Sequence, residues 1–173
     1  MAKRRQKSNL ARIRKIEMLA GFSDIEVEAL WRIAGEVRVP AGEVIMREGD
    51  VGDSMYLFGE GQVMVTKNLT LKTGKRGFSQ AEKSMVRLDA RYVSFFGDMA
   101  IFENDVRSAT LTAATDCLLY EIKRDDFERL TQQNSALGYK FVRKIAEVLC
   151  HRVRQGNQDI LKLTTALSIA LSK

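Results

Sequence analysis

The sequence predicts a mainly β fold with flanking α: an antiparallel barrel or jelly-roll with helices before it and one long helix after it. Two observations carry this. From Val37 to Arg124, short apolar runs are broken by clusters of Gly, Asp and Asn, the signature of many short strands joined by tight turns. On either side of that stretch the apolar residues recur at three-and-four spacing, the period of helices.

The chain opens on a basic tail. Residues 1–16 hold Lys3, Arg4, Arg5, Lys7, Arg12, Arg14 and Lys15 and no acid, so the net charge of +6 belongs to this segment rather than to a binding face. Within residues 10–20, Leu10, Ile13, Ile16 and Ala20 fall near helical spacing. Ser23 and Glu26 form a capping-box pattern that starts a helix over about 24–35, with Ile25, Ala29, Leu30 and Ile33 expected on its core face. Strands are expected over 36–39, 43–47, 54–58, 61–67, 84–89, 105–114 and 117–123. Gly49 to Asp53 and Gly59 to Gly61 mark tight turns between them. Residues 68–83 read as a polar hairpin tip, an exposed loop with Phe78 as its apolar point.

After Lys123 the period becomes helical again. A short helix is expected over Asp125 to Gln132, and Asn134 or Ser135 caps a long one. Leu137, Phe141, Ile145, Val148, Leu149 and Val153 make one stripe; Ile160, Leu163, Leu167 and Leu171 make a second beyond Gly156. A helix of about 35 residues, roughly 50 Å long, outruns one small domain. A second copy of the chain is the expected cover, in a two-fold homodimer. Gly156 marks either a joint or a break. The expected divisions are a tail at 1–16, a β domain with flanking helices at 17–133, and the dimerisation helix at 134–173.

Composition excludes several classes. With 45% apolar and 29% charged residues, 173 residues suffice for one ordinary globular domain. No apolar run reaches the length of a membrane span, and the N-terminus lacks the apolar core of a secretory signal. Cys117 and Cys150 are expected as buried thiols in a reducing cytoplasm. A single histidine, His151, and no Cys/His cluster argue against zinc, and no metal is expected. No nucleophile elbow, phosphate-binding Walker loop or catalytic carboxylate pair stands out, so no catalytic residue and no enzyme activity is expected.

The most informative stretch is residues 95–110, FFGDMAIFENDVRSAT. Gly97 allows backbone N–H groups to approach an anion, and a short helix start at Met99, Ala100 and Ile101 aims more of them at it. Arg107 supplies a planar, permanent cation for phosphate oxygens. Asp98, an acceptor, suits a sugar hydroxyl. Together these suggest a sugar phosphate or nucleotide. Taken singly, Arg107 also fits a surface salt bridge, Asp98 a helix cap, and Ser108 a strand-edge hydroxyl.

FGD-M-A-I, five residues, then R-S-A-T resembles the phosphate-binding cassette of cyclic nucleotide-binding domains, the family of the bacterial catabolite activator and of kinase regulatory subunits. Residues 39–65 resemble that family's first strands, with turn glycines at Gly42, Gly49 and Gly61. The resemblance spans roughly residues 18–160. Asp98 stands where the family usually has glutamate, and Val106 where many members have proline. Residues 88–96 replace a glycine-proline-glycine turn, and the stretch at about 67–85 is longer than usual.

The resemblance implies an antiparallel β-roll, a jelly-roll-like double sheet, with N-terminal helices and a long C-terminal dimerisation helix. It implies a cytoplasmic cyclic nucleotide sensor, cyclic AMP ahead of cyclic GMP. The implied ligand contacts are Gly97, Asp98, Met99, Ala100, Ile101, Arg107, Ser108, Ala109 and Thr110, with Asn157 of the long helix as a base contact. Binding would move that helix and act on an effector protein. The chain ends at Lys173, before any winged helix-turn-helix, so a stand-alone bacterial-type member without direct DNA binding is expected. The alternatives are a degenerate dimeric scaffold that binds no nucleotide, and a nucleic-acid-associated regulator working through the basic tail.

Overall fold

The computed structural model describes the chain over residues 10–72, 78–82, 86–103 and 105–172; of residues 68–72 and 78–82 it describes only the backbone. Most of the basic tail and the Phe78 side chain therefore lie outside the described residues; of the segment 68–83, expected as a loop, residues 68–72 and 78–82 instead form two paired strands.

Among the described residues ten strands form three antiparallel units. They are β1 (Ala34–Val39), β2 (Val44–Met46), β3 (Ser54–Glu60), β4 (Gln62–Thr66), β5 (Asn68–Lys72), β6 (Phe78–Glu82), β7 (Val86–Asp89), β8 (Phe95–Phe96), β9 (Thr110–Ala113) and β10 (Cys117–Lys123). One sheet has the order β1-β10-β3-β8, the second β2-β9-β4-β7, and β5 pairs with β6 as a separate hairpin. Helices flank the sheets: after a 3-10 turn at Glu17–Leu19 come α1 (Asp24–Ile33), α2 (Met99–Phe102), α3 (Arg124–Gln133) and α4 (Ser135–Leu171).

The central strands of the first sheet, β3 and β10, are buried on both faces, and strand alternation shows how. Along β10, Cys117 and Leu119 point toward the second sheet, while Leu118, Tyr120 and Ile122 point toward the helices. On β3, Met55 and Leu57 face the helices and Phe58 faces the sheet. Phe95 and Phe96 divide the same way, so both are core aromatics. A strand of such continuous apolar character has no wet face, which is why its sequence shows no polar alternation.

The helices close the outer face. Ser23 and Glu26 form the expected capping box, Ser23 N–H donating to Glu26 Oε2 at 2.6 Å. Lys140 Nζ reaches the same oxygen at 2.7 Å, tying α1 to α4. Val27 and Leu30 are the buried residues of α1, whereas Ile25, expected inside, is 81% exposed. Ile25 is the second residue of the helix, before the core-facing side has turned toward the sheet.

Asn134 caps α4, its Oδ1 accepting from Leu137 N–H at 3.0 Å. Leu137, Phe141 and Ile145 are fully buried against Phe127 of α3 and the sheet. Burial of each such side chain is worth about 1.5–3 kcal/mol. The helix then runs unbroken through Gly156, a position where an added Cβ would meet nothing within 4 Å. The stripe at Ile160, Leu163, Leu167 and Leu171 is exposed in the single chain, and so is Val153. Cys150, expected as a buried thiol, is exposed on this helix; Cys117 is buried, and both are free. Cys150 follows Leu149, and at 100° per residue it leaves the packed face.

Candidate functional site

The cassette lies where the two sheets, α2 and α4 meet. Gly97 turns the chain from β8 into α2 with φ +72°, and a Cβ there would come within 2.9 Å of Arg107 Nη1. A glycine is therefore required twice over, by backbone and by space. On the opposite side, Arg107 N–H donates to Asp50 O at 2.7 Å and Gly49 N–H to Arg107 O at 3.0 Å. These bonds pin the arginine backbone against the glycine-rich turn 49–53. A Cβ on Gly52 would fall 2.4 Å from Arg107 Nε, so the side chain lies directly on that glycine.

Arg107 is 9% exposed, and its fork is fixed rather than free. Nη1 donates to Ser54 O at 2.7 Å and to Gly97 O at 3.2 Å, and Nη2 donates to Ser54 Oγ at 3.3 Å. A guanidinium has five N–H donors. Those bonds occupy three of them, at the far end of the group. The remaining pair, on Nε and Nη2, forms one edge with the parallel geometry that matches two oxygens of a phosphate.

Beside this arginine is a cavity of about 260 Å³. Of the residues expected as ligand contacts, Gly97, Asp98, Met99, Ala100, Arg107, Ser108 and Ala109 line it. Met46, Val65, Leu88, Val93, Phe96 and Leu111 give it an apolar wall suited to a flat ring. Three expected residues do not line it. Ile101 is buried in the core. Thr110 begins β9, its Oγ1 accepting from Glu48 N–H at 3.0 Å. Asn157 is exposed farther along α4. The strand expected over 105–114 begins only at Thr110, which leaves Arg107 and Ser108 in the irregular segment that faces the cavity. The start of α2 is not wholly open to an anion, since Ala100 N–H already donates to Gly97 O at 3.2 Å.

Asp98 is 4% exposed and holds the N-cap position of α2, but its side chain makes no capping bond. It accepts instead from Arg152 of α4, Nη1 to Oδ1 at 3.3 Å. Arg152 also donates to Phe95 O at 2.9 Å, and its guanidinium stands 4.9 Å from the centre of the Phe95 ring. Sequence reading did not single out Arg152. The signal was present: it follows Ile145 by seven residues and Val148 by four, on the face of the buried stripe. A cation there needs an acceptor.

Two further supports were not foreseen. Arg124 holds the end of α2, Nε donating to Ala100 O at 2.7 Å and Nη2 to Glu103 O at 2.8 Å, a cation at a helix C-terminus. Ser54, nearly fully buried, donates from Oγ to Glu121 Oε1 at 2.8 Å, and Tyr56 donates to the same oxygen at 3.1 Å. Burial first, then the Glu121 charge, raises the Tyr56 phenol above its ordinary value. Among the described residues no cluster of His, Cys, Asp and Glu is arranged to hold a metal, and no helix is long and apolar enough to cross a membrane.

Comparison with known proteins fits this geometry. The family model for the cyclic nucleotide-binding domain matches residues 36–134. A cyclic nucleotide-gated potassium channel of Rhizobium etli is 36% identical over 128 residues, covering 72% of this chain and 31% of the channel. A cAMP-dependent protein kinase regulatory subunit of Aspergillus niger is 29% identical over 118 residues, covering 68% of this chain and 26% of that protein. The chain thus spans about a third or less of these relatives. A solved cyclic nucleotide-binding domain from Methylobacillus flagellatus superposes with TM-score 0.70 at 24% identity, covering 92% of this chain and 84% of that one.

Proposed function

We propose, on the premise that this chain belongs to the cyclic nucleotide-binding domain family, that it is a non-enzymatic, cytoplasmic cyclic nucleotide sensor whose occupancy is transmitted to α4. The phosphate meets the Nε/Nη2 edge of Arg107, with Ser108 beside it. The ribose hydroxyl meets Asp98, and the base lies along the apolar wall. Charged hydrogen bonds of this kind are worth about 1.5–3 kcal/mol. Cyclic AMP ranks ahead of cyclic GMP because the kinase relative above is cAMP-dependent and the wall offers an apolar surface to the less polar purine.

One observation carries the transmission. Asp98 is held by Arg152, so a sugar hydroxyl and the long helix address the same carboxylate. A ligand shifts an equilibrium only by its differential affinity for the two arrangements. Competition for Asp98 supplies such a difference. The long helix pairs with its copy in a homodimer, and the output passes to an effector protein rather than to DNA.

The engagement of Asp98 by Arg152 also favours a second reading, a dimeric scaffold that binds no nucleotide. Titration calorimetry with cyclic AMP, cyclic GMP and cyclic di-GMP separates the two. Saturable binding with cyclic AMP strongest supports the sensor; silence with all three, in a folded dimer, leaves the scaffold.

A further inference from the structure

Glu121 lies on β10 and does not line the cavity, yet it is connected to the arginine that does. The connection is a chain of directed hydrogen bonds. Glu121 Oε1 accepts two hydrogen bonds, from Ser54 Oγ–H at 2.8 Å and from the Tyr56 hydroxyl at 3.1 Å. An ionised carboxylate only accepts, so it dictates the direction of both. With its proton committed to Glu121, Ser54 Oγ must turn a lone pair toward Arg107 Nη2, 3.3 Å away. The raised phenol of Tyr56 keeps that side chain a donor at neutral pH, so the second bond has the same sense.

We infer that Glu121 is a positioning residue for the phosphate-facing edge of Arg107, acting through Ser54. The inference rests on the phosphate reading of that arginine. Ser54 grips the guanidinium at two points, through its carbonyl on Nη1 and its hydroxyl on Nη2. The carbonyl grip is fixed by the β3 backbone. The hydroxyl grip depends on which way the Ser54 proton points, and Glu121 decides that. If the proton turned toward Arg107, two donors would face one another and the fork would rotate about its remaining bonds. The edge left for an anion would then no longer have one orientation.

The inference also explains why a carboxylate tolerates a half-buried place on this strand. Its two acceptor bonds compensate the loss of water, and its charge stands near an arginine otherwise satisfied by neutral oxygens.

The test uses the full chain and three probes: cyclic AMP and its two phosphorothioate diastereomers, which put sulfur on one or the other exocyclic phosphate oxygen. Glu121→Gln keeps shape and adds a donor. It is expected to lower cyclic AMP affinity at least about fivefold and to narrow the affinity ratio between the diastereomers, with melting temperature little changed. In a Ser54→Ala background the same substitution is expected to add nothing, since the relay is already cut. Tyr56→Phe, which removes only the second donor, is expected to keep most of the affinity. Unchanged affinity and an unchanged diastereomer ratio in folded Glu121→Gln overturn the inference. So does an equal loss with and without Ser54. If the unsubstituted chain binds none of the three probes, the cyclic nucleotide reading itself falls, and this inference with it.

Discussion

Arg152 Nη1 stands 3.3 Å from Asp98 Oδ1, a bond between the long helix and the one carboxylate that immediately follows the Gly97 turn. The arginine is partly exposed, so the pair is worth about 0.5–1 kcal/mol. Removing the competitor by Arg152→Ala is therefore expected to raise cyclic AMP affinity about two- to fivefold. The gain should shrink as salt is raised in the reference protein. A fall in affinity by calorimetry would show that Arg152 touches the ligand instead.

Asp98→Ala is expected to weaken binding by less than any loss at Arg107, because one or two bonds from neutral hydroxyls are at stake. Asp98→Glu restores the length usual in the family and should bind equally or more tightly. A clear loss with glutamate, measured in the same titration, would mean that the contact to Arg152 has fitted this site to the shorter side chain.

Arg107→Ala should abolish measurable binding, and the structure adds a cost in stability. The variant removes the guanidinium donor from buried Ser54 O, while Gly97 O keeps its bond from Ala100 N–H. A buried acceptor that loses its donor costs about 1–3 kcal/mol. Chemical denaturation should show a lower midpoint with unchanged slope, and calorimetry should show no heat of binding. Retained affinity in this variant would remove the phosphate assignment.

Gly52→Ala provides a subtler displacement. The new methyl would fall 2.4 Å from Arg107 Nε, so the side chain must move although the backbone at this glycine needs no left-handed conformation. Binding should fall at least about tenfold while most of the stability survives. Equal binding would mean that the guanidinium is free to lie elsewhere.

Ile160 and Leu163 test the assembly. Both are exposed on the single chain, at spacing suited to a two-stranded seam. Ile160→Glu or Leu163→Glu should shift a dimer to monomer in sedimentation velocity, since charge at a packed seam is costly. An unmodified chain that sediments as a monomer would reject the seam.

The β-roll was legible because its turns are written in glycine and its strands in short apolar runs. The cassette was legible for a similar reason: a turn, a carboxylate and an arginine lie within a few residues of one another. What escaped was anything assembled across the sheet. Ser54, Tyr56 and Glu121 meet only because β3 pairs with β10, and no local period announces a register between strands more than 60 residues apart. Arg152 escaped because a cation in a long amphipathic helix is read as solvent-facing. Ile25 was misassigned because the first turn of a helix fixes its face less well than its middle. Cys150 was misassigned because an apolar neighbour in sequence is not a neighbour in space on a helix.

If the site acts through α4 as proposed, the length of that helix sets the scale of the movement. From Arg152, which touches Asp98, the helix continues without interruption to Leu171, about 28 Å away at 1.5 Å per residue. A rigid rod multiplies a rotation at its root. A tilt of about 10° at Arg152 would sweep the far end through about 5 Å, close to one helical pitch. Gly156, a few residues beyond the root, is a glycine inside the rod and costs the helix about 1 kcal/mol relative to alanine.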